Sequence, residues 1–142
     1  MTIYKHILVG LDLSDECFAV LKKAKELAGG LGSKLSVAHV CEPISFAYGG
    51  DIPFDLNSTQ ELIVKRAETR LNEVITQVGL DPFERLVVIG QAAHELHRLA
   101  DEKAADLILV GSHGRHGFAL LLGSTSTGVL HGAHCDVLAV RV

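Results

Sequence analysis

Leu107-Ile108-Leu109-Val110-Gly111-Ser112-His113-Gly114 decides the fold, because four consecutive apolar residues run straight into a turn built on two glycines. A strand that is apolar at every position, instead of at every second one, is covered on both faces, as strands of parallel sheets are. The same grammar recurs on either side. Ile7-Leu8-Val9-Gly10, Leu35 to Cys41, Leu86 to Ile89 and Val137 to Val142 are further short apolar runs, and amphipathic stretches separate them. From Phe18 to Leu31 the apolar residues Val20, Leu21, Ala24, Leu27, Ala28 and Leu31 recur at helical spacing, with Ser14 as the predicted cap and Gly29, Gly30 and Gly32 as the stop. An irregular loop holding Tyr48-Gly49-Gly50 and Pro53 follows Glu42-Pro43 up to about Asn57. A long helix then runs from Ser58 to Val78 on the stripe Leu62, Ile63, Ala67, Leu71, Val74, Ile75 and Val78, ended by Gly79 and Pro82. Ala92 to Lys103 reads as a further helix, and a short one starts at about Ser124.

The order is therefore βαβαβαβαβ within one domain, 1–142. Right-handed crossovers turn that order into a doubly wound α/β fold: a five-stranded parallel sheet, strand order 3-2-1-4-5, in three layers. Ligands of such sheets bind at the carboxyl ends of the strands where the winding reverses, here between the first and fourth strands. Gly10-Leu11-Asp12 and Gly111-Ser112-His113-Gly114 stand at those two ends. Glycine amides can approach phosphate oxygens closely, and Gly123-Ser124-Thr125 opens a helix whose free amides favour an anion. The same residues also fit a tight turn and an ordinary helix cap.

Composition removes several functions. With 13 Lys plus Arg against 17 Asp plus Glu, the chain carries no basic footprint for nucleic acid or an anionic membrane. Cys17, Cys41 and Cys135 are odd in number and widely spaced, which suggests neither a disulfide framework nor a zinc site and fits a reducing, cytoplasmic compartment. The N-terminal residues read as a first strand, not as a leader or a membrane span. His94-Glu95-Leu96-His97 places its histidines three apart, where a zinc-protease helix needs four, and reads as a solvated face. His131, His134 and Cys135 fit a helix-end charge complement better than a metal site, and His6 and His39 read as structural. No GxxxxGK[ST] and no GxSxG is present, so no catalytic residue is assigned and at most slow hydrolysis is expected.

Tyr4 to Ser14, Ser36-Val37-Ala38-His39-Val40, Asp106 to Gly114, Gly123-Ser124 and Cys135 to Val140 together resemble the universal stress proteins over the whole chain. The resemblance implies a flavodoxin-like, adenine-nucleotide α-hydrolase-like fold of the branch that carries the glycine loop. It implies ATP or AMP lying across the sheet mouth, with Mg2+ admitted through the phosphates, and a homodimer formed through the last strand, Val137–Val142. Carried over residue by residue, it puts Asp12, with Gly10 and Leu11 beside it, near ribose and adenine, and Val40 against the base. Gly111, His113, Gly114, Gly123, Ser124 and Thr125 would hold ribose and phosphates, with Arg115 placed either to reach a phosphate or to stay solvated. The family pattern has nine residues between the second glycine and the Gly-Ser pair, whereas Arg115 to Leu122 supplies eight. A regulatory or stress-survival role follows from the resemblance; the alternative is a nucleotide-free homodimeric interaction module of the same fold.

Overall fold

Five parallel strands form one sheet in the order β3-β2-β1-β4-β5 in the computed structural model, which describes residues 3–43, 56–112 and 128–141. The strands are β1 (His6–Gly10), β2 (Lys34–Cys41), β3 (Glu84–Ile89), β4 (Leu107–Gly111) and β5 (Asp136–Val140), and the helices are α1 (Cys17–Leu31), α2 (Leu56–Val78) and α3 (Ala92–Glu102). This is the doubly wound architecture and strand order that the sequence predicts. Side chains alternate across each strand, so β1 sends Ile7 and Val9 to one face and Leu8 to the other. The first face packs Val37, Leu107 and Leu109 with Val20 and Leu21 of α1 and Leu71, Val74 and Ile75 of α2. The second packs Ala38, Ile108 and Val110 with Leu96 and Leu99 of α3 and with Val129. Burial on both faces is why β1 and β4 carry unbroken apolar runs, Ile7 to Val9 and Leu107 to Val110.

The central strands are stapled at their entry end. Asp106 accepts hydrogen bonds from the backbone N–H groups of Lys5 (2.9 Å) and His6 (3.0 Å), and its own N–H donates to the His6 carbonyl (3.0 Å). Burial opposes ionisation of Asp106, but those backbone donors outweigh it and hold the carboxyl below the usual carboxylate range. Beneath the staple the buried His6 ring bonds through Nδ1 to the Lys103 carbonyl (3.0 Å) and through Nε2 to Ser36 Oγ (2.7 Å). A carbonyl can only accept, so Nδ1 donates and Nε2 accepts from the serine hydroxyl.

Several boundaries differ from the sequence reading, each for a local reason. Ser14 does not cap α1: the N-cap is Glu16, without a side-chain cap bond, and the Ser14 hydroxyl turns back to Asp12. Gly29 and Gly30 lie inside the helix, and only Gly32, in the left-handed region at φ 69°, ends it. The third strand starts at Glu84 because Glu84 and Arg85 pair with Ser36 and Val37 on an edge strand, where charged residues are tolerated. The long helix begins at Leu56, and the last strand spans Asp136–Val140, with Val142 outside the described residues. The loop after Glu42-Pro43 and the start of the helix at Ser124 also lie outside them, although the backbone is helical at 128–130.

Candidate functional site

The strand reversal sets the site. β1 lies between β2 and β4, and its last pair with β4 is Val9 with Leu109, so Asp12 and Ser112 stand three residues beyond on neighbouring chain ends. Gly10 serves packing: a Cβ there would lie 2.8 Å from Leu96 Cδ1, so the bare backbone lets α3 close on the sheet. Leu11 buries its side chain in the core facing α1, donates its N–H to the Ala38 carbonyl (2.9 Å) and accepts at its own carbonyl from His39 Nδ1 (2.7 Å). β1 is thus carried past its last ladder pair and held against β2.

Beyond Leu11 the backbone leaves ordinary geometry. Leu13 has φ 63°, a left-handed conformation that costs a residue bearing a Cβ about 1 kcal/mol or more. The turn brings Ser14 back onto the carboxylate, so Asp12 Oδ1 accepts from both the Ser14 N–H (3.0 Å) and the Ser14 hydroxyl (2.6 Å). Asp12 Oδ2 has no partner among the described residues. Behind this turn sits the buried Cys17 thiol, pushed up to about 11 by burial and by the neighbouring Asp12 charge. Such a thiol carries almost no thiolate at neutral pH, so Cys17 acts as apolar filling.

On the other side of the reversal Gly111 closes β4 opposite Val140, and the Ser112 N–H still donates to the Val140 carbonyl (2.7 Å). Ser112 is only 8 % exposed, yet its hydroxyl has no hydrogen-bond partner among the described residues. A buried unpaired hydroxyl is unfavourable, and this one stands at the strand ends where sheets of this class bind ligands. Val40, near the end of β2, is half-buried and packs toward the face covered by α3. Gly10, Leu11, Asp12, Val40 and Gly111 are therefore brought to one end of the sheet. His113, Gly114, Arg115, Gly123, Ser124 and Thr125 lie outside the described residues.

Sequence reasoning missed Ser112, the left-handed Leu13, and the parts of Ser14 and His39. An aspartate two residues before a serine was available as a signal for a side-chain turn of this kind. His97 is not merely solvated, since its Nε2 bonds to the Val129 carbonyl (2.8 Å) and ties α3 to the chain returning from the glycine-rich region. His134 meets Asp101 at 3.2 Å on the surface, and among the described residues no group of three His, Cys, Asp or Glu could hold a metal. A groove of about 250 Å3 lined by Lys65, Arg66, Thr69, Arg70 and Glu73 lies along α2, away from the strand ends where sheets of this class bind ligands.

The universal stress protein family model matches residues 3–141. The chain belongs to that family. Universal stress protein A homolog 2 of Coxiella burnetii is 42% identical over 146 residues, spanning 100% of this chain and 98% of the relative. UspA of Lactobacillus plantarum shares the fold at a TM-score of 0.79 and 21% identity, over 97% of this chain and 98% of that one. A universal stress protein solved in complex with cAMP is 29% identical, with a TM-score of 0.66 over 97% of both chains.

The two buried serines should respond oppositely to truncation. Ser36→Ala strands His6 Nε2 and should cost about 1–3 kcal/mol in urea unfolding, whereas Ser112→Ala removes no bond and should leave the empty protein unchanged or slightly more stable. Equal losses in the two variants would contradict the orphaned state of Ser112.

Proposed function

We propose that this universal stress protein binds an adenine nucleotide, ATP or AMP, across the carboxyl ends of β1, β2 and β4, as a regulatory or stress-survival factor. The observation that carries the reading is the unpaired hydroxyl of buried Ser112 at the winding reversal, three residues past the same strand pair as Asp12, whose Oδ2 has no partner among the described residues. A carboxylate oxygen accepts from ribose hydroxyls, and half-buried Val40 offers the base an apolar surface. Gly111, His113, Gly114, Arg115, Gly123, Ser124 and Thr125 complete the phosphate end in this reading, and Mg2+ enters with the phosphates of ATP. The relative solved with cAMP supports an adenine ligand. No nucleophile or general base is assigned, so the activity proposed is binding and not turnover.

AMP or ATP at millimolar concentration should raise the melting temperature, since a ligand selective for the native state stabilises by about 2.7 kcal/mol at a hundred times its Kd. GTP should do less. Equal shifts from AMP, ATP and GTP, or none from any of them, would refute an adenine pocket.

We propose in addition that two copies associate through antiparallel pairing of their β5 strands. β5 closes one side of the sheet, and Leu138 on it is 39 % exposed. The opposite edge, β3, opens with Glu84 and Arg85, charges of the kind that discourage edge pairing. Light scattering at micromolar concentration should return the mass of a dimer; a monomer there would rule this association out.

A further inference from the structure

Resting on the proposed nucleotide site, we infer that His97 is a positioning residue for its phosphate end: from α3 it holds the chain that returns at Gly128, and so fixes that chain relative to the end of β1. Neighbouring residues of α3 meet the two sides. Leu96 is buried and closes on the end of β1, where only the missing Cβ of Gly10 leaves room for its Cδ1. His97 bonds through Nε2 to the Val129 carbonyl at 2.8 Å. A carbonyl can only accept, so Nε2 carries the hydrogen. One helix thereby touches both the strand that leads to Asp12 and the chain that leads into β5.

Packing around the bond brings the two chains close. Ala93 lies one helical turn before His97 on the same side of α3, and a Cβ on Gly128 would stand 2.8 Å from the Ala93 Cβ. Gly128 therefore lets the returning backbone approach near enough for the ring to reach the carbonyl of the next residue. Val129 itself is fully buried in the core on this face of the sheet. The backbone is helical at 128–130 and turns at Gly132, at φ 86°, and the last carbonyls of a helix have no donor within it. His97 supplies one at Val129.

In the proposed reading the residues from Gly111 to Thr125 make the phosphate end, so the chain must be held both where it leaves β4 and where it returns. The Ser112 N–H holds the departure through the Val140 carbonyl (2.7 Å), and His97 holds the return. One such bond shifts an equilibrium by a factor of about ten. When binding needs the held form, losing the bond lowers the apparent affinity by up to the same factor. Adenosine, which has no phosphate, should not register the loss.

Titration calorimetry of the full chain with ATP and adenosine, in His97→Gln and His97→Asn, tests this. The Gln amide nitrogen stands where imidazole Nε2 does, whereas the Asn nitrogen reaches only as far as Nδ1. His97→Asn should weaken ATP about tenfold and adenosine by less than about twofold, while His97→Gln stays within about threefold of wild type for both. Gly128→Ala keeps the imidazole but pushes the returning chain off Ala93, and should repeat the loss for ATP; it decides the matter if His97→Asn does not fold. Where adenosine binds too weakly to titrate, the contrast between Gln and Asn decides. An equal loss of ATP and adenosine is what a merely structural part would give, and it would overturn the role, as would equal ATP affinities in the Gln and Asn variants. Wild-type protein that binds ATP while no variant differs from it leaves the nucleotide site standing without the positioning role, whereas wild-type protein that binds no ATP removes both.

Discussion

The parallel pairing of β1 with β4 is the contact on which the rest of the molecule depends. Three residue pairs form it, Ile7 with Leu107, Leu8 with Ile108 and Val9 with Leu109, and every one of those side chains is buried. Asp106 fixes their register from below by bonding the amides of Lys5 and His6, so a slip of one residue would break the staple and exchange the two faces of the strand. The chain winds one way through β1, β2 and β3 and the other way through β4 and β5. Helices α1 and α2 consequently cover one face and α3 the other. In sheets of this class such a reversal is where ligands bind.

Strand identity and order were legible because burial on both faces writes continuous apolar runs, and right-handed crossovers leave few topologies to choose among. What the sequence hid was decided by local hydrogen bonds. Ser14 precedes acidic residues at a helix start and looks like a cap, but the aspartate two residues earlier offers its hydroxyl a charged acceptor, and the stronger bond prevails. Glu84 and Arg85 obscured the start of β3 because an edge strand buries only part of its surface. Gly29 and Gly30 look like a helix stop, yet the left-handed residue that terminates the helix is Gly32 alone. Ser112 was passed over between two glycines, since nothing in a sequence distinguishes a bonded serine from an orphaned one.

Local rules are kept through most of the described fold and broken at a few places: Ala104, before β4 at the entry end, has φ 55°, and two departures stand together at the other end. A leucine in left-handed geometry and a buried hydroxyl without a partner are each unfavourable, and both lie just past the β1–β4 pair. Two departures side by side at the strand ends where the winding reverses support the proposed nucleotide site there. The Asp12–Ser14 turn and Ser112 stand at the ends of the neighbouring strands β1 and β4, and the half-buried Val40 lies near the same end of β2. The groove along α2 shows no comparable feature: Arg70 within it is already engaged with Asp15 at 3.6 Å and Glu73 at 3.7 Å.

Amide correlation spectra of isotopically labelled protein, recorded through a titration with AMP, test the location most directly. The account predicts that the largest shifts fall on the chain from Gly10 to Ser14, on His39 and Val40, and on Gly111 and Ser112, while β3 beyond its carboxyl end stays still. Shifts centred on Lys65 to Glu73 of α2, or strand-end amides that do not move while AMP binds, would contradict it.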